Sequence, residues 1–132
     1  MDKIEHIGIA VKDLDAGIKK YEQILQSSCY KIETVETEGV KTAFFKVGET
    51  KIELLQSLYN DGPVHRFIEK KGEAMHHIAY EVADIKKEML RFTDDGFHLL
   101  NDEPKMGADN KLVCFIHPKD TNGVLMELVQ SI

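Results

Sequence analysis

The sequence has 132 residues, of which 42% are hydrophobic and 30% are charged, and its formal net charge is −6 at pH 7. These are ordinary values for a globular protein, so the composition argues against a disordered chain and against a membrane protein. The acidic balance also disfavours nucleic acid as a partner.

The N-terminus gives no targeting signal, because Asp2, Lys3 and Glu5 stand where a secretory signal peptide requires an apolar core. No apolar run approaches the roughly 20 residues that a membrane-spanning helix needs. Cys29 and Cys114 lack CxxC spacing, so reduced thiols are expected rather than a disulfide. We therefore expect a cytoplasmic protein with no membrane partner.

The first half of the chain predicts the element order β-α-β-β-β. Residues 4–11 form a mostly apolar strand, and Asp13 or Asp15 can cap the helix that follows. The apolar residues of this helix recur at helical spacing, namely Leu14, Ile18, Tyr21 and Leu25. Short segments rich in β-branched and aromatic residues then predict three strands, at residues 30–35, 42–47 and 51–56.

Residues 57–74 predict a helix that connects the two halves. Pro63 suits the first helical position, and Gly72 suits the position after the last turn. The second half then repeats the order of the first, with a helix over residues 84–96 and strands over residues 76–82, 97–100, 111–117 and 123–130. The loop 101–110 is longer than its counterpart in the first half, and long loops inside small domains are often functional.

Two pairs of segments show that one unit occurs twice. Residues 5–14 recur as residues 76–85, at an offset of 76 − 5 = 71. Residues 51–56 recur as residues 125–130, at an offset of 125 − 51 = 74. Each unit therefore opens with a strand that carries a histidine and closes with a strand that carries a glutamate, and such a repeat decides how the fold is interpreted.

The repeat predicts a single domain, residues 1–132, built from two fused modules. The first module spans residues 4–56, the connecting helix spans 57–74, and the second module spans 75–132. Either module alone would be marginally stable at roughly 60 residues, so a shared core is expected.

The repeat also brings together four candidate metal ligands, namely His6, Glu53, His77 and Glu127. An isolated carboxylate inside an apolar strand costs several kcal/mol, so both glutamates require a partner. A divalent ion near the approximate two-fold axis satisfies all four side chains. Two imidazoles and two carboxylates leave open positions in an octahedral shell, which suits a first-row divalent ion better than a closed zinc site.

The neighbouring histidine, His76, is not expected to bind the ion. Successive side chains of a strand point to opposite faces of the sheet, so only one of His76 and His77 can be a ligand. His77 matches His6 in the repeat. We therefore expect His76 on the other face or at the edge of the strand.

Six segments carry a resemblance to a known family, namely residues 6–11, 48–55, 72–79, 102–108, 115–119 and 123–128. The histidine and glutamate strands resemble those of the vicinal oxygen chelate superfamily, which includes glyoxalase I. Within it, the chain is similar to the methylmalonyl-CoA epimerase family along nearly its whole length. The last three segments are the specific ones, because the wider superfamily lacks the Asp-Glu-Pro and His-Pro-Lys loops.

This resemblance implies an α+β fold in which two tandem βαβββ modules form a cup-shaped mixed sheet around a metal site, with helices on the outside. It implies one divalent ion per chain, such as cobalt, manganese, nickel, zinc or magnesium. The implied reaction interconverts (R)- and (S)-methylmalonyl-CoA by 1,1-proton transfer through a metal-stabilised enolate. The implied partner is an acyl-CoA substrate, and a homodimer is expected.

Two positions depart from the family pattern. Thr42 stands where some members carry a glutamate base, and a threonine cannot act as a base near neutral pH. Asp109, Asn110 and Lys111 replace the Gly-Gly-Lys loop of the family. We therefore predict that Glu53 and Glu127 are the catalytic carboxylates, one for each face of the substrate carbon.

Three other functions are compatible with this fold. A glyoxalase I-type lyase acting on a glutathione adduct uses the same ligand types, but that family tends to carry an arginine just after the first histidine, where this chain has Ala10 and Val11. A ring-cleaving dioxygenase prefers two histidines and one carboxylate around iron. A non-catalytic small-molecule-binding protein commonly lacks some of the four ligands, and metal content distinguishes it.

Overall fold

The structure, a computed structural model, describes residues 1–132 as one mixed sheet with three helices. The strands are β1 (Lys3–Ala10), β2 (Lys31–Val35), β3 (Val40–Val47), β4 (Thr50–Ser57), β5 (Ala74–Glu81), β6 (Lys105–Met106), β7 (Lys111–Ile116) and β8 (Met126–Ser131). The helices are α1 (Leu14–Leu25), α2 (Pro63–Lys71) and α3 (Ile85–Asp94). None of them has the length and apolar character that crossing a bilayer requires.

The sheet has the order β2-β3-β4-β1-β5-β8-β7-β6. In the first half β1 runs parallel to β4, and in the second half β5 runs parallel to β8. The two halves meet where β1 pairs antiparallel with β5. This arrangement confirms the predicted α+β fold of two tandem modules related by an approximate two-fold axis.

Equivalent side chains fix the first turn of α1 and of α3. Asp13 and Asp84 are the N-caps, and each carboxylate accepts a hydrogen bond from the backbone N–H three residues further on. The side-chain carbonyls of Gln56 and Gln130 accept from the N–H of the first residue of each helix. These pairs are separated by 84 − 13 = 71 and 130 − 56 = 74 residues, which are the two offsets of the sequence repeat.

Successive side chains of β4 and β8, the strands that carry the glutamates, point alternately to an apolar face of the sheet and to a cavity. Leu54 packs in a cluster with residues of α1, and Leu128 packs in a cluster with residues of α3. Because neighbouring side chains point to opposite faces, Glu53 and Glu127 point to the inside of the curved sheet. Helix α2 contributes Val64 to a further buried cluster with residues of β1, β3 and β4.

The predicted strand over residues 97–100 does not form. Only a single bridge links Leu99 to Ile116, and β6 follows it as a pair of residues. The side chain of Asn101 takes the place of further strand pairing, because its Oδ1 accepts from the N–H of Phe115 and its Nδ2 donates to the carbonyl of Val113.

The predicted strand over residues 123–130 begins later than expected, at Met126. Asn122 and Gly123 have positive φ angles of 59° and 86°, which turn the chain before the strand. The N–H of Gly123 bonds back to the carbonyl of Pro118, so this segment closes a turn rather than extending β8.

Candidate metal centre

A cavity of about 400 Å³ lies inside the curved sheet and is lined by both halves of the chain. Its apolar wall includes Val40, Leu55, Val64, Val113, Phe115, Leu125 and Val129. Its acidic and basic members are Glu5, His6, Glu38, Glu53, His76, His77, Lys105, Lys111 and Glu127. A largely apolar cavity with a few convergent polar groups is the usual form of a small-molecule site.

Three of the four predicted ligands converge on one point. The Nε2 atoms of His6 and His77 are 2.9 Å apart, and Glu127 Oε1 lies 3.0 Å from the Nε2 of His77 and 3.3 Å from that of His6. All three side chains are buried. β1, β5 and β8 each contribute one of them, so the group spans the junction between the halves.

The spacing of these donor atoms fits a metal ion. In an octahedral shell with bonds of about 2.1 Å, neighbouring donors are about 3.0 Å apart, whereas a tetrahedral shell of the same bond length separates them by about 3.4 Å. Two of the observed separations, 2.9 and 3.0 Å, are closer to the octahedral value, and the third, 3.3 Å between His6 and Glu127, lies between the two values. The chemistry of the set, two imidazoles and a carboxylate, suits a first-row divalent ion.

The fourth predicted ligand, Glu53, lies on the other side of the His6 ring. Its Oε2 is 3.1 Å from the Nδ1 of His6, and Glu5 Oε1 is 2.8 Å from the same nitrogen. Glu5, His6 and Glu53 thus form a second group of potential ligands that shares His6 with the first. Coordination by Glu53 together with the other three residues stays a prediction.

Gly8 provides the space that the ring of His77 occupies. In the strand pairing Gly8 lies opposite His77 of β5, and Ala79, its equivalent in the repeat, lies opposite His6. A methyl group at Gly8 would lie 2.3 Å from His77 Cε1 and 2.8 Å from His77 Nε2. The ring therefore packs directly on the backbone of β1, which is a common reason for glycine inside a strand.

The expectation that His76 points away from the site is wrong. Between two consecutive residue pairs, the register advances by one residue on β1, from Gly8 to Ile9, but by two residues on β5, from His77 to Met75. His76 is thus the extra residue of a β-bulge, which interrupts the regular alternation of faces. Its side chain lines the same cavity as His77.

Burial and neighbouring charges separate the pKa values of the carboxylates. Burial raises the pKa of Glu53 to about 7, although the nearby His6 opposes this shift. Burial also raises the pKa of Glu38 to about 7, and the charge of Glu127 acts in the same direction. For Glu127, the interactions with His6 and His77 outweigh the effect of burial and hold the pKa below its usual range.

The histidines also differ in their pKa values. Burial alone would lower the pKa of His6, but the charges of Glu53 and Glu127 outweigh it and raise the pKa well above 6.5. Burial lowers the pKa of His77, and it lowers the pKa of His76 to about 4. Without an ion, a proton on His6 thus offsets part of the negative charge of the surrounding carboxylates.

Four residues of the site lay outside the sequence-based ligand set, namely Glu5, Gly8, Glu38 and His76. Glu5 and His76 could have been found from the repeat, because each is a polar residue directly before a predicted ligand histidine in an otherwise apolar strand. Glu38 lies in a short 3-10 turn and has no counterpart in the repeated segments, so the sequence offers no comparable signal for it.

Comparison with known proteins defines the class of protein. Residues 5–115 match the Glyoxalase/Bleomycin resistance protein/Dioxygenase superfamily. The chain belongs to this superfamily, as the resemblance in its histidine and glutamate strands indicated.

Individual relatives resemble the chain over nearly its whole length. It is 40% identical to the ethylmalonyl-CoA/methylmalonyl-CoA epimerase of Cereibacter sphaeroides over 97% of each chain. It is also 40% identical to the uncharacterized protein YqjC of Bacillus subtilis, over 98% of this chain and 93% of that protein. A variant of Streptomyces coelicolor methylmalonyl-CoA epimerase, solved in complex with 2-nitronate-propionyl-CoA, has 36% identity and a TM-score of 0.95, and the match covers 99% of this chain and 95% of that one.

We predict that Gly8→Ala weakens the binding of a divalent ion at least about tenfold, because the added methyl group displaces the His77 ring. Isothermal titration calorimetry with Zn²⁺ measures the affinity. The matched control is Gly17→Ala, which makes the same change in α1, away from the cavity. Unchanged affinity in Gly8→Ala would show that His77 is not a ligand.

We also predict that the affinity for a divalent ion increases with pH and that binding releases protons. The raised pKa of His6 keeps its ring protonated in the metal-free protein above the ordinary value of 6.5, so the ion must displace this proton. The competition weakens as the pH rises through the pKa of His6. Calorimetry in two buffers of different ionisation enthalpy measures the protons released, and an affinity independent of pH between about 6 and 8 would contradict this prediction.

Proposed function

We propose that the chain is an epimerase that interconverts (R)- and (S)-methylmalonyl-CoA by moving one α-proton. The proposal depends on one observation: three buried metal-donor groups share a cavity with Glu38 and Glu53, whose pKa values burial raises to about 7. A carboxylate with a pKa near neutrality both accepts and returns protons readily at neutral pH. The names of the relatives support methylmalonyl-CoA as the substrate.

In this proposal His6, His77 and Glu127 would hold one divalent ion, with Glu53 as a fourth ligand. When bound, the ion supplies a Lewis acid that stabilises negative charge on the substrate oxygens, which contributes several kcal/mol to the lowering of the barrier. The proposed ion is cobalt, manganese, nickel, zinc or magnesium. Two imidazoles and two carboxylates would leave room on such an ion for substrate oxygens.

Proton transfer is assigned to carboxylates from opposite halves of the sheet. Glu53 of β4 and Glu127 of β8 are equivalent in the repeat, so they are the proposed acid and base for the two faces of the substrate carbon. One removes the α-proton, and the other returns a proton to the opposite face. The pKa of Glu53 is raised and the pKa of Glu127 is lowered, so Glu53 is the stronger base of the two.

Glu38 is the alternative to Glu127 as the second proton carrier. It lines the same cavity, its pKa is raised to about 7, and it belongs to neither group of potential metal ligands. A carboxylate that does not bind the ion remains free to carry a proton. If Glu127 stays on the ion throughout the reaction, Glu38 and Glu53 are the two groups that exchange protons with the substrate.

The proposed substrate places its acyl group inside the cavity and the rest of coenzyme A outside it. A volume of about 400 Å³ suits a short branched acyl thioester but not the whole coenzyme. Lys105 and Lys111 line the cavity and offer positive charge to the phosphates or the carboxylate of such a substrate.

The direct test incubates the metal-loaded protein with (R)- or with (S)-methylmalonyl-CoA in D₂O and follows chirality and deuterium content. We expect each epimer to give both forms, with deuterium incorporated at the α-carbon. Tight binding without interconversion would favour a binding protein. Turnover of a glutathione hemithioacetal, without epimerisation, would favour a glyoxalase I-type lyase.

We predict that Glu53→Gln slows epimerisation about 10²- to 10⁴-fold and leaves deuterium exchange into one epimer only, because a single base remains. The Glu127→Gln and Glu38→Gln variants decide which carboxylate serves the other face. Metal content is measured alongside each rate, so that loss of the ion is not mistaken for loss of a base. The exposed Glu69→Gln variant on α2, outside the cavity, is the matched control and should keep full activity.

If metal-loaded Glu53→Gln loses exchange from both epimers equally, Glu53 is not one of two independent bases. If Glu127→Gln retains epimerisation while Glu38→Gln abolishes it, the second base is Glu38.

We also propose a homodimer, because both edge strands of the sheet, β2 and β6, are unpaired on one side and β2 exposes Ile32. Light scattering is expected to give twice the chain mass of 15.0 kDa. A value of 15.0 kDa would contradict the dimer and leave the proposed chemistry unaffected.

A further inference from the structure

A bulged residue stands directly before His6. Along the pairing of β1 with β5, the chain moves by two residues on β1, from Ile4 to His6, while it moves by one on β5, from Tyr80 to Ala79. Glu5 is therefore the extra residue of a β-bulge on β1. A bulge redirects a side chain that regular alternation would send to the other face, and Glu5 is buried beside the cavity.

The bulge at Glu5 is the counterpart of the bulge at His76. The two residues are separated by 76 − 5 = 71 positions, which is the offset of the repeat. Each contacts Nδ1 of the histidine that follows it. Nδ1 is the outer nitrogen of each ring, because the Nε2 atoms of the two histidines face each other at the candidate metal site. Glu5 Oε1 is 2.8 Å from the Nδ1 of His6, and His76 Nδ1 is 2.9 Å from the Nδ1 of His77.

The protonation of the outer nitrogen, Nδ1, determines whether the inner nitrogen, Nε2, can bind a metal ion. A neutral imidazole carries its proton on Nδ1 or on Nε2, and only the nitrogen without the proton can bind a metal. We infer that Glu5 and His76 are positioning residues, each of which accepts a hydrogen bond from Nδ1–H of the next histidine and so keeps its Nε2 free for the ion. This inference rests on the metal site of the proposed function.

Glu5 is held in place by a chain of ion pairs. Lys51 Nζ lies 2.8 Å from the second carboxylate oxygen of Glu5 and 2.9 Å from Asp109 Oδ2, and Lys31 Nζ lies 2.9 Å from Asp109 Oδ1. The carboxylate therefore cannot rotate away from His6 without breaking its contact with Lys51. The chain also ties the segment around Asp109, in the second half, to the first half of the sheet.

His76 is held by packing rather than by charge. Its ring meets Phe67 of α2 edge to face, with the ring centroids 4.9 Å apart. The two positioning residues thus differ in chemistry, because Glu5 is a carboxylate and His76 is an imidazole. A carboxylate partner increases the donor strength of a ligand histidine more than a neutral partner does, so Glu5 should contribute more to metal affinity.

Nitrogen-15 NMR of the Zn²⁺-loaded protein tests the inference without measuring activity. We expect the rings of His6 and His77 to show a protonated Nδ1 and a metal-bound Nε2. Coordination through Nδ1 of either ring would overturn the inference. If Zn²⁺ does not bind at all, the metal site of the proposed function fails, which is a separate result.

Substitutions then measure how much each positioning residue contributes. His76→Phe removes the acceptor of His77, and Glu5→Leu removes the nearer of two carboxylates at the Nδ1 of His6, because Glu53 Oε2 lies 3.1 Å from the same nitrogen. We expect each variant to weaken Zn²⁺ binding about 10- to 100-fold in calorimetric titrations. Glu5→Gln and His76→Asn keep an oxygen acceptor near Nδ1 and should recover part of the loss. All four variants disturb the packing, but only these two keep an acceptor. Recovery of Zn²⁺ affinity therefore distinguishes a positioning role from general damage to the fold.

Two matched controls complete the experiment. Glu22→Leu removes a half-buried carboxylate of α1 that lies outside the ion-pair chain of Glu5, and His65→Phe makes the same histidine change on α2. Neither residue lines the cavity, so both variants should keep Zn²⁺ affinity within about threefold of the wild type. If Glu5→Leu and His76→Phe also stay within that range while the wild type binds Zn²⁺ and epimerises its substrate, the inference is wrong and the proposed function stands.

Discussion

The antiparallel pairing of β1 with β5 is the constraint on which the site depends. It is the single strand pairing that joins the two halves of the sheet, and it brings the Nε2 atoms of His6 and His77 to 2.9 Å. A slip of one residue would reverse the face of every side chain on one strand. Gly8 lies under the His77 ring in this register, and the bulges place Glu5 and His76 beside the ligand histidines. The local sequence and the strand pairing therefore support each other.

The charge of the site favours the binding of a cation. Glu5, Glu53 and Glu127 are all buried, and within the cluster only Lys51 and a protonated His6 offset them. Unpaired buried carboxylates are costly, so the protein carries this arrangement only where something compensates it. A divalent ion between the two imidazoles would replace the proton on His6 with a larger charge.

The sequence predicted the fold, and it predicted that the side chains of His6, His77 and Glu127 meet, because both features depend on periodic patterns. The repeat predicted the paired modules and the equivalent positions of Glu53 and Glu127 on their closing strands, and the alternation of side chains along β5 predicted that only one of His76 and His77 faces the site. The same alternation misplaced His76, because a bulge breaks the period and has no simple signature in one sequence.

Other features depend on contacts between distant side chains. The strand predicted at residues 97–100 is reduced to a single bridge because two side chains replace the remaining backbone partners: Asn101 Oδ1 accepts from the N–H of Phe115, and Asp120 accepts from the N–H of His98. The position of Glu53 on the Nδ1 side of His6 follows from the orientation of a ring, which depends on neighbours from β4 and β5. No pattern along a single strand specifies such an orientation.

The proposed function requires that His6, His77 and Glu127 hold one divalent ion through the Nε2 atoms of both histidines and a carboxylate oxygen of Glu127. The most direct test is a crystal of the protein grown with Co²⁺ or Mn²⁺ and measured with anomalous scattering at the absorption edge of the metal. We expect one peak per chain, at about 2.0 to 2.2 Å from the Nε2 atoms of both histidines and from a Glu127 oxygen. A peak on the Nδ1 side of His6, between Glu5 and Glu53, or no peak at full metal loading, would contradict the claim.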